Sequence, residues 1–153
     1  MPIRRRLLLV LPPLVAFQAI STDLYLPALP AIVLDLGTDV AAVQLTLSDF
    51  LLGFGLAQLV YGPLSDRIGR RPLLLFGTGL YVVASLACMG ASSIGTLVAA
   101  RFLQAVGACC GPVLGRAVVR DVWEPEEAAR VLAYLAAAMP LAPAAGPILG
   151  GLL

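Results

Sequence analysis

The chain has 153 residues, 60% of them hydrophobic and 12% charged, with no histidine and a formal net charge of +1. Soluble domains run at roughly 45–50% apolar and about 25% charged, so this composition excludes a water-soluble domain, whose exterior needs charge where a lipid-facing one does not. It also gives no reason to expect nucleic-acid binding, and the lack of histidine removes the usual general base and metal ligand.

A membrane span needs about 20 largely apolar residues. Five stretches qualify, at about 7–29, 41–61, 73–91, 94–119 and 131–153, which predicts an all-α polytopic membrane bundle. Arg4, Arg5 and Arg6 precede the first span. That arrangement also suits a cleavable signal, but Pro12 and Pro13 interrupt the apolar run and no small-x-small cleavage site follows, so a retained helix is expected. After the second span, Gly62 and Pro63 are expected to end the helix and Asp66 to cap or sit near the start of the next one. A short ASS turn follows the third span, and the acidic DVWEPEE follows the fourth. Cys88, Cys109 and Cys110 lie in apolar runs without metal-ligand spacing and read as packing residues. No cofactor or metal is expected. Glycines at 107, 111 and 115 are spaced to let helix backbones approach closely in lipid.

Nine of the ten basic residues fall on alternate connectors: Arg4, Arg5 and Arg6, then Arg67, Arg70 and Arg71, then Arg116, Arg120 and Arg130. Basic residues are retained on the cytoplasmic side, so the N-terminus is expected to be cytoplasmic. The tenth, Arg101, lies inside the fourth span.

The connector GPLSDRIGRRPLLL resembles the signature between the second and third helices of the major facilitator superfamily, at Gly62, Asp66, Arg67, Gly69, Arg70, Arg71 and Leu74. The resemblance implies two six-helix halves, of which the sixth helix and the C-terminal half are absent from residues 1–153, and a cytoplasmic latch in which Asp66 and Arg70 gate conformational exchange. RFLQAVG resembles the fourth-helix motif of proton-coupled drug exporters at Arg101 and Gln104, with Ala105 where a glycine is usual. APAAGPILGG resembles the fifth-helix antiporter motif at Gly146, Pro147, Gly150 and Gly151, with Ala142 replacing the leading glycine. STDLYLPALP resembles the first helix of the bicyclomycin and chloramphenicol resistance exporters. The two glycine-to-alanine departures are expected to crowd close helix contacts.

A charge within the hydrocarbon costs about 2.5–3.5 kcal/mol on insertion scales and marks a functional or bundle-locking site. Asp23, Asp49 and Arg101 are the candidates, in a common layer, for proton coupling. For Arg101 a bundle-locking salt bridge is the alternative to a coupling or charge-stabilising role. Gln18, Tyr25, Phe54, Gln58 and Gln104 are candidates for the substrate cavity, each equally readable as helix packing. The expected function is proton-coupled export of small drug-like molecules from a bacterial cytoplasmic (inner) membrane, by alternating access. The partners expected are the substrate, protons, the bilayer, and the C-terminal half or an oligomeric partner. An importer or facilitator of the same superfamily stands as the alternative, as does a truncated fragment that does not transport. A membrane enzyme is disfavoured because no nucleophile, metal set or acid pair clusters in the sequence.

Overall fold

The computed structural model describes residues 3–23 and 25–138, and the regular structure among them is entirely helical. Helix α1 (Ile3–Asp23) continues through a 3-10 turn at Leu26–Ala28 into α2 (Leu29–Asp35). Residues 7–35 thus form one apolar stretch, six residues longer at its far end than expected from the sequence. Gly37 then takes φ +57, a left-handed conformation that glycine adopts without steric cost, and the chain reverses there. Asp39 begins the return: its side chain accepts the Ala42 amide at 2.7 Å, capping α3 (Val40–Ile68).

Helix α3 does not stop at Gly62 and Pro63, as the sequence suggested, but runs through both to Ile68. Proline removes one amide donor, a loss that packed helices in lipid tolerate when other groups satisfy the freed carbonyls. The carbonyl left without a helical donor is that of Leu59, four residues before Pro63, and buried Tyr61 and Ser65 on either side pack the continuing helix into the bundle. Asp66 therefore lies in the last turn of α3 and does not cap the next helix. A single residue, Gly69, joins α3 to α4 (Arg70–Met89) at φ +99.

Ser93 and Thr96 form a reciprocal capping box at the start of α5 (Ile94–Ala108). After a break at Cys109 the chain continues as α6 (Cys110–Val122), and residues 94–122 form one apolar stretch. Pro112, which has no amide proton, sits in the first turn of α6 where that loss is cheapest. Helix α7 (Pro125–Ala138) starts six residues before the predicted fifth span, with Pro125 in its first position and Glu126 and Glu127 in a first turn whose dipole favours them. The rest of that span lies outside the described residues, as do Ala142, Gly146, Pro147, Gly150 and Gly151. Among the described residues four stretches are long and apolar enough to cross a membrane: 7–35, 40–68, 70–89 and 94–122.

Helix α5 packs between α3 and α4, while α1 lies on α6 and α7 closes against both. Glycines set the closest approaches. A Cβ on Gly107 would stand 2.5 Å from the Tyr81 amide nitrogen of α4, and one on Gly111 would overlap the Leu14 carbonyl of α1. Two apolar clusters result. Phe50, Phe54, Tyr61, Leu73, Ala105 and Leu114 join α3, α4, α5 and α6, and Leu11, Val15, Val119, Trp123 and Leu135 join α1, α6 and α7. Ala105 is fully buried in the first.

Candidate functional site

Arg101 is 2% exposed, seven residues into α5. Side chains on a helix lean toward its N-terminus, which carries this guanidinium toward the far end of the bundle and into contact with α1, α3 and α4. Its Nη1 donates to Gln104 Oε1 at 2.7 Å and to the Ser21 carbonyl at 3.5 Å. The carbon of the guanidinium lies 4.0 Å from the Tyr25 ring centre and 4.5 Å from that of Phe50. Gln104 passes the network on through Nε2, which donates to Ser85 Oγ at 2.8 Å. Around it the Ser21 and Tyr81 hydroxyls lie 2.7 Å apart, and so do those of Tyr25 and Thr46.

Among the described residues no carboxylate pairs with Arg101, which speaks against the bundle-locking salt bridge. Nε and Nη2 are buried without a hydrogen-bond partner. Neutral contacts can nonetheless carry the charge. A hydrogen bond to a charged group contributes about 1.5–3 kcal/mol and each desolvated cation–π contact about 2 kcal/mol, comparable with the insertion cost of about 2.5–3.5 kcal/mol.

A second polar cluster lies at the opposite end, around the single-residue joint. Arg70 Nη1 meets Asp66 Oδ1 at 2.7 Å, and Nε meets Asp121 Oδ2, on α6, at 3.0 Å. Nη1 also donates to the Ser65 hydroxyl. One arginine thus ties the end of α3, the start of α4 and the end of α6. Arg4 reaches the same end of the bundle, with Nη1 3.1 Å from Glu127 Oε2 and Nη2 donating to the Val122 carbonyl at 3.3 Å.

Residues 13–153 match the sequence profile described as the Major Facilitator Superfamily. The chain belongs to that superfamily. Among similar proteins, the chloramphenicol resistance protein of Pseudomonas aeruginosa is 42% identical over 94% of this chain and 35% of its own length. Multidrug resistance protein D of Escherichia coli is 37% identical over 96% of this chain and 37% of its own length. Multidrug resistance protein MdtL of Escherichia coli is 35% identical over 92% of this chain and 36% of its own length. The chain therefore spans about a third of the length of these curated superfamily relatives. Helix content and family together make it a multi-pass membrane protein of that superfamily.

Within this superfamily fold the predicted site residues separate. Arg101, Gln104 and Tyr25 come together; Phe54 belongs to the apolar core, and Gln58 lies on an exposed face of α3. The side chain of Gln18 lies outside the described residues. Asp49 is half-buried, with Oδ2 shielded and unpartnered, and Asp23 ends α1 two residues beyond the carbonyl that Arg101 reaches. Asp66 and Arg70 pair, whereas Arg67 and Arg71 are exposed beside them. The sequence reading missed Asp121, whose one signal was an acid following Arg116 and Arg120 at the end of the fourth span. It also missed Phe50, Tyr81 and Ser85, ordinary helix residues whose role depends on which helices meet.

Proposed function

We propose that this chain supplies the N-terminal part of a proton-driven exporter of small drug-like molecules in a bacterial inner membrane, working by alternating access with its N-terminus in the cytoplasm. The observation that carries the reading is the buried Arg101–Gln104 pair, a cation held in the bundle by neutral partners, in a chain whose relatives are named for drug resistance. A desolvated cation lacking a fixed counter-charge among the described residues raises the electrostatic stake of any carboxylate that approaches it, and the neighbouring α1 and α3 carry Asp23 and Asp49. Proton binding by one of them would change its attraction to Arg101 and bias the two access states. Arg70, held between Asp66 and Asp121, is the latch of the cytoplasmic end. Gly146, Pro147, Gly150 and Gly151 are proposed as the antiporter segment. Gly62 and Gly69 shape the latch, with Arg67 and Arg71 flanking it.

The test is drug export by the reconstituted transporter containing this segment, with and without an imposed pH gradient. Wild type is expected to export only with the gradient, and Asp23→Asn to bind drug without gradient-driven accumulation. Export indifferent to the gradient would overturn proton coupling; gradient-driven export by Asp23→Asn would move the proton to Asp49.

A further inference from the structure

Two adjoining cavities run along the seam between α1–α2 and α4–α5. One, of about 340 Å³, is lined by Arg101, Gln104, Ser21, Ser85 and Tyr81. The other, of about 410 Å³, is lined by Ile32, Leu36, Ala91 and Leu97, with Asp35 at its edge. They share Tyr25, Ala28, Cys88 and Met89 as common wall, so together they make one groove with Arg101 and Gln104 in its wall at one end and Ile32, Leu36 and Leu97 at the other. Along α1 and α2 the groove extends from Tyr25 to Leu36, eleven residues, or about 16 Å at the helical rise.

We propose that this groove binds a single-chain amphiphile with a carboxylate head, the head at Arg101 and the chain along Ala28, Ile32 and Leu36. Charge complementarity selects the head: Arg101 is a buried cation with no carboxylate partner among the described residues, and its Nε and Nη2 have no hydrogen-bond partner among them. The apolar wall selects the body. A neutral or cationic amphiphile would gain the same apolar contact and forgo the ion pair. The inference deepens the reading of the Arg101 cluster but concerns occupancy alone, so a failure of gradient-driven export leaves it standing.

Cys88 provides the readout, because it lines both cavities and is half-buried while Cys109 and Cys110 are fully buried. The protein in lipid nanodiscs is treated with a maleimide, and modification of Cys88 is followed by mass spectrometry with laurate or lauryl alcohol present. Laurate at about ten times its Kd is expected to slow Cys88 modification about tenfold, since only the unoccupied groove reacts. Lauryl alcohol at the same concentration is expected to leave the rate nearly unchanged, and Arg101→Gln to abolish the protection by laurate. Equal protection by the alcohol, protection that survives in Arg101→Gln, or a Cys88 that does not react at all would each overturn the proposal. The comparison of acid with alcohol uses the unmodified protein, so the test does not depend on the variant folding.

Discussion

Gly69 occupies φ +99, ψ 156, a region essentially reserved for glycine, and it alone separates two long helices. Replacement by alanine meets little steric resistance from neighbours, since the nearest side-chain atom would stand 3.8 Å away, so the cost is backbone strain of about 1–3 kcal/mol. Gly69→Ala is expected to lower the thermal midpoint of the purified protein and to displace Arg70 from Asp121, which a double-mutant cycle with Asp121→Asn would register as lost coupling. Gly111→Ala tests a different mechanism, because the added methyl would collide with the Leu14 carbonyl and α1 must move away from α6. Overpacking of this kind costs about 1–3 kcal/mol, read as a fall in thermal midpoint larger than that of Gly55→Ala, where nothing lies within 4 Å of the new carbon. At this scale Arg101 was legible in the sequence because a charge inside an apolar run is conspicuous wherever the chain folds. Its companions were not. Phe50 and Ser85 are unremarkable on their own helices, and only the packing of α3 and α4 against α5 gives them an arginine to hold.

Helix starts and stops depend on local chemistry that can be read in part. Ser93 preceding an apolar run marks the start of α5, and its side chain accepts the Thr96 amide at 3.3 Å. Ser93→Ala is expected to cost about 1 kcal/mol and to speed hydrogen exchange in the first turn of α5 ahead of the helix centre. A uniform increase along α5 would show that the cap stabilises the whole bundle instead of one helix end. The Gly62–Pro63 step was misread because the rule that proline ends a helix describes chains whose freed backbone can turn to water. Helix α3 gives up one hydrogen bond at the proline and stays helical to Ile68, with Tyr61 and Ser65 on either side buried in the bundle. For α7 the acidic first turn was visible in the sequence, yet the span criterion ignored it, since residues 125–130 are too polar to count as apolar.

For the molecule as a whole, the alternation of charged connectors predicted which helix ends lie together, and the contacts Arg4–Glu127 and Arg70–Asp121 bring those ends to one side. Reporter fusions after Gly69 and Glu126 are expected to report the cytoplasm, and those after Asp39 and Ser92 the opposite side. A cytoplasmic signal after Asp39 would reverse the proposed orientation. The length of α3 has a further consequence. Its 29 residues measure about 43 Å against a hydrocarbon core of about 30 Å, so an upright α3 outruns the oil by some 13 Å. The excess must stand among the lipid headgroups or be taken up by tilt. With the capping Asp39 at one end and Arg67 at the other, the overhang at the Gly69 joint brings the exposed guanidinium groups of Arg67 and Arg71 to the level of the phosphates. The bilayer is thereby expected to be a third party to the joint: Asp66 and Asp121 hold Arg70 from within, anionic headgroups would draw on Arg67 and Arg71 from outside, and bilayer thickness and surface charge would both bear on the angle between α3 and α4.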